Sequence, residues 1–108
     1  MANYLRGEVA LHSKKNGGYS YRYILRPTFA SIASIEASFD KSILMFLKDA
    51  SARGFTLAEI EVIIRATMTE PIPNIEELII SIGILELTKK LTDLLFSGLN
   101  LDLLEEDE

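Results

Sequence analysis

The chain has 108 residues, room for one domain with one hydrophobic core. Apolar residues make up 48% and charged residues 25%, a globular composition rather than a disordered one. Cysteine is absent, which excludes disulfides, thiolate catalysis and cysteine-ligated metals.

The net charge of −5 is unevenly placed. Residues 1–27 carry five basic side chains and one acid, whereas residues 28–108 carry six basic and fifteen acidic ones. This polarity suits head-to-tail self-association or docking to a basic partner. A basic hairpin on an acidic, soluble helical body accounts for it equally well. The N-terminal residues lack the continuous apolar stretch expected of a secretory signal. The longest apolar-rich run, Leu78 to Leu87, is far short of the roughly 20 residues that span a bilayer.

Leu5 to Leu11 alternates as a strand with one buried face, through Val9 and Leu11. Asn16-Gly17-Gly18 tolerates the positive φ that tight turns require. Tyr19 to Leu25 resumes alternation, with Tyr19, Tyr21, Tyr23 and Leu25 on one face. These two runs predict a β-hairpin. Pro27 lacks an N–H and ends the second strand, and Thr28 can cap a following helix. From Phe29 the apolar spacing turns helical, through Ile32, Ile35 and Phe39. Arg26-Pro27-Thr28 is thus a strand-to-helix switch. An anion site at Arg26 beside the helix start is the functional alternative, but no glycine-rich cradle accompanies it.

A second helix is predicted within Asp40–Gly54, capped by Asp40 or Ser42 and stopped by Gly54. A third begins at Thr56, which forms a capping box with Glu59. Its stripe is Leu57, Ile60, Ile64 and Met68, with Ile63 beside it. Thr69 to Asn74 contains two prolines and reads as a loop. Asn74 and Glu77 then open the last and longest helix, about Ile75 to Ser97. From Leu78 to Leu87 it is apolar almost all round, so it is expected to be buried on two sides or to face another chain. A central strand over Leu78–Leu85 fits the same run. Gly83 would permit a close helix crossing. The expected fold is α+β: a hairpin packed on about four helices, in a single domain of residues 1–100, with an acidic tail at 101–108.

Catalytic equipment is sparse. His12 is the only histidine and sits beside the hairpin turn. No His, Asp and Glu set has metal-ligand spacing, and no phosphate loop or dinucleotide fingerprint is present. Glu59 with Glu61, and Glu76 with Glu77, are the available acid–base pairs, but helix capping and the macrodipole explain them. No catalytic, cofactor-binding or metal residues are assigned, and a non-enzymatic protein is expected. Nucleic-acid binding would draw on Tyr19, Tyr21 and Tyr23 interleaved with Arg22; the acidic overall charge opposes it.

The order of these motifs resembles a known family. "RGEVAL", a strand ending "YILRPTFASIASIEASFDKSI" and then "GFTLAEIEVIIRATM" resemble the small tail protein of gene transfer agents and related siphophage-like particles. That family is grouped with phage tail assembly chaperones and has also been labelled a tail tube protein. The resemblance covers about residues 6–69, with Leu25-Arg26-Pro27-Thr28-Phe29, Ile35-Glu36 and Thr56-Leu57-Ala58-Glu59-Ile60 as its most specific pieces. It implies a cytoplasmic chaperone that keeps the long, hydrophobic tape-measure protein soluble until tube subunits polymerise around it. It also admits a structural tail tube subunit, which would be associated with the particle. Surplus apolar helix surface fits such an assembly role. The residues expected to face a partner, whether a tail protein or another copy in a homo-oligomer, are Ile80, Ile84, Leu87, Leu91, Leu94, Leu95 and Phe96. Simple closure of the core is the competing explanation for them.

Overall fold

Alternating apolar residues pair two strands, β1 (Val9–Lys14) and β2 (Ser20–Leu25), into an antiparallel hairpin. The computed structural model describes residues 8–14 and 20–107, including the side chains of 8–13 and 22–97. The expected turn at Asn16-Gly17-Gly18, the tyrosine at 19 and the strand's first residues at 5–7 lie outside that set. The register sets Val9 opposite Leu25 and Leu11 opposite Tyr23, so one face collects the apolar side chains. Leu11, Tyr23 and Leu25 are buried there. His12 and Arg22, on the other face, are exposed.

Five helices follow: α1 (Phe29–Phe39), α2 (Ile43–Arg53), α3 (Leu57–Thr67), α4 (Ile75–Ile82) and α5 (Ile84–Asp107). The α+β class matches the expectation, with five helices where about four were expected. The predicted last helix is interrupted at Gly83, whose φ of 97° only glycine adopts readily. A Cβ added there would meet nothing within 4 Å, so the glycine serves the backbone bend and not a close helix crossing. Leu78 to Leu85 is helical on both sides of that bend, which removes the central-strand alternative. The backbone of residues 101–107, expected as a tail, continues α5.

The helix starts follow the capping chemistry of the sequence. Thr28 Oγ1 accepts from the Ser31 N–H at 3.0 Å, and Ser31 Oγ accepts from the Thr28 N–H at 2.7 Å, a reciprocal box. Thr56 and Glu59 form the same arrangement, at 3.1 and 2.8 Å. Ser42 caps α2, while Asp40 takes a left-handed conformation and ends α1. Glu36, projecting from α1, accepts from the Ile43 N–H at 2.8 Å and supplies a second cap to α2. Asn74 accepts from the Glu77 N–H at 3.0 Å, but no reciprocal bond from Glu77 completes a box.

Packing joins these elements around one core. Ser31 and Ile35 form the buried side of α1, which packs on α3. Phe29, expected on that side, is exposed instead. It precedes Ser31 by two residues, about 200° round the helix, and so faces away. Phe39, Phe46 and Phe55 stack in series, with centroids 4.7 and 5.6 Å apart, linking α1, α2 and the entry to α3. Ile60, Ile63 and Ile64 of α3 are fully buried, as are Leu87, Leu91, Leu94 and Leu95 of α5. The four leucines recur at intervals of four, three and one, a continuous helical stripe. Each such side chain stabilises the fold by about 1.5–3 kcal/mol relative to an exposed one.

The outer edge of β2 is tied to the exit of α3. Leu25 bridges Met68, the Arg26 N–H donates to the Thr67 carbonyl at 2.8 Å, and the Thr69 N–H donates to the Ile24 carbonyl at 3.2 Å. Arg26 also pairs with the buried Glu8 carboxylate. Its guanidinium therefore serves the hairpin–core junction, and the anion-site alternative loses its cation.

Candidate functional site

Two helix starts create an apolar surface depression. Thr56 fixes the first turn of α3 so that Leu57 and Ala58 project outward, with Glu61 one turn on from Leu57. Asn74 fixes the first turn of α4, where Glu76, Ile79 and Ile80 share one side. Together these six residues line a groove of about 410 Å³. Its floor is aliphatic and its polar groups are the two carboxylates. Glu76 makes no ion pair among the described residues. Glu61 is bridged at 3.0 Å by Arg65, an exposed pair one helical turn apart that contributes little to stability.

The bidentate pair between Arg53 and Glu59 braces the start of α3, at 2.7 and 3.0 Å. The Arg53 guanidinium, aided by the Thr56 N–H, holds the Glu59 carboxyl below the usual carboxylate range. This pair anchors the segment between α2 and α3 behind Leu57 and Ala58.

The partner-facing set expected from sequence divides. Ile80 is 82% exposed and lines the groove; Ile84 and Phe96 are about half exposed, at 48% and 47%. Leu87, Leu91, Leu94 and Leu95 are fully buried and are corrected to core residues. They lie on the one stripe of α5 that meets α3 and α4, and that packing consumes it. Leu57, Ala58, Glu61, Glu76 and Ile79 were not anticipated as a surface. Leu57, which its spacing placed on the stripe of α3, is 57% exposed instead, and no sequence signal marked it, since Ile43 and Ile75 follow their caps in the same way and are buried.

Other exposed apolar side chains are Leu85 on α5, Phe29 on α1, and Leu44 and Met45 together in the first turn of α2. A smaller cleft of about 240 Å³ is lined by His12, Ser81, Ile82, Glu86 and Lys90. There the Lys90 Nζ donates to the Ala10 carbonyl at 3.2 Å, fastening α5 to the hairpin. No cluster of metal-ligating side chains occurs among the described residues. None of their helices is long and apolar enough to cross a membrane. Tyr23, expected to stack on bases in the nucleic-acid alternative, faces the core. No protein family, curated protein or solved structure matches this chain.

Proposed function

We propose that this protein is a non-enzymatic assembly module, acting in the bacterial cytoplasm as a tail assembly chaperone of a phage or gene transfer agent. In this reading it covers apolar segments of the tape-measure protein during tail morphogenesis. The observation that supports it is the surface of the α4–α5 region. Ile80 and Leu85 remain 82% and 83% exposed although the core beneath them is complete. Large aliphatic side chains in such positions favour a partner that buries them. The two described strands form a single hairpin, which gives a structural tube subunit, expected to rely on a larger sheet, less support.

Co-expression with a tape-measure polypeptide tests the reading. The tape-measure protein is expected to move from the pellet to the soluble fraction and to co-purify with this chain. An unchanged pellet would reject the chaperone assignment.

A further inference from the structure

We infer that the α3–α4 groove of one molecule receives the first turns of α2 from a second copy of the same chain. The groove supplies an aliphatic floor, Leu57, Ala58, Ile79 and Ile80, walled by Glu61 and Glu76. The other half of the contact is present on α2. Leu44 and Met45 are 66% and 53% exposed, adjacent on the helix's first turn. Lys48 lies one turn beyond Leu44, is exposed, and makes no ion pair among the described residues. The neighbouring Lys41 is engaged by Asp49 at 3.0 Å. Two apolar knobs followed by Lys48 match an aliphatic slot in hydropathy, and in charge through Glu76, which makes no ion pair among the described residues, Glu61 being engaged by Arg65.

A small-molecule occupant fits less well. Such sites combine apolar walls with convergent polar groups that fix orientation, and here only two carboxylates are present at the walls.

The two surfaces are different patches of one molecule, so the contact is heterologous. It leaves a free groove at one end and a free α2 face at the other, and growth continues unless a ring closes. Each contact is small, so association is weak and concentration-dependent. This inference shares Ile80 with the tail-assembly reading, but the α2 face that it places in the groove belongs to the inference alone.

Sedimentation equilibrium of the whole chain, from about 10 µM to about 1 mM, provides the test, spanning the weak range of protein association. The weight-average mass should more than double from the monomer value of 12.1 kDa as concentration rises. Ile80→Asp and Leu44→Asp each remove one half of the contact at an exposed site, and each variant alone should stay monomeric. An equimolar mixture of the two should form a dimer and stop there, because only one intact groove meets only one intact α2 face. Ile80→Asp adds negative charge opposite Lys48, so tighter association of that variant would show charge attraction without the apolar slot and overturn the inference. A wild-type chain that stays monomeric throughout would overturn it too. So would a mixture that fails to dimerise, or single variants that associate like wild type. Circular dichroism of each variant confirms that the fold is retained. Tape-measure solubilisation by Leu44→Asp, which leaves Ile80 and Leu85 in place, reports on the chaperone reading separately.

Discussion

Helix α3 and the α4–α5 pair are both rich in isoleucine and leucine, yet they end in different states. In α3 the stripe Ile60, Ile63 and Ile64 is buried, and Leu57 in the first turn is the one large hydrophobic left exposed. In α4 and α5 the large apolar residues are split between a buried and an exposed side. One stripe, Leu78, Ile79, Leu87, Leu91, Leu94 and Leu95, enters the core, while Ile80 and Leu85 remain in solvent. A narrow apolar stripe can be satisfied by the core it faces, here formed with α1, α4 and α5. A wide one is satisfied on one side only, and what lies on the other is available for recognition.

The sharpest way to break this comparison is to truncate a leucine on each side of α5. Leu91→Ala is expected to destabilise the protein by about 2–5 kcal/mol, read as a lower urea midpoint, because it empties a site in a closed core. Leu85→Ala should change stability by no more than about 0.5 kcal/mol. Equal losses at the two positions would mean that α5 has no distinct buried face.

The bend between the helices is tested next. Gly83 sits at φ 97° and ψ 145°, a region that side chains with a Cβ rarely enter. Gly83→Ala should cost about 1–3 kcal/mol through the backbone alone, since the added methyl has open space around it. A neutral outcome would argue for one continuous rod from Ile75 onward, the arrangement expected from the sequence.

The smallest effect concerns the brace that presents Leu57. Because hydrogen bonding to Arg53 lowers the Glu59 pKa in the folded state, its contribution is fully present above the unfolded carboxylate value. It is lost as pH falls through the lower, folded value. Glu59→Gln should therefore be less stable than wild type near neutral pH, with the difference shrinking through the acidic carboxylate range. Urea melts at several pH values would show this. The difference is small because Arg53 is solvent-exposed and the pair is screened.

Much of the local structure was legible in the chain. Thr28, Ser42 and Thr56 each announce a helix start that the structure realises, and alternation around Leu11 and Tyr23 fixes which hairpin face is buried. The candidate site was legible only in part. Ile80 was expected at a partner surface and is exposed. Leu87, Leu91, Leu94 and Leu95 were expected there and are core, because hydropathy gives the same score to a residue that fills its own domain and to one that awaits another. Leu57 and Glu76 are distant in sequence, and no local pattern links them.

The sequence by itself therefore determined the period of each segment, the caps that begin the helices and the residue types available for burial. These depend on a few neighbours along the chain. Tertiary structure alone decided which apolar residues of α4 and α5 are enclosed and where the rod bends. It also decided which residues of α3 and α4 share a groove. Those outcomes depend on helix approach, and burial is non-directional until packing chooses a side.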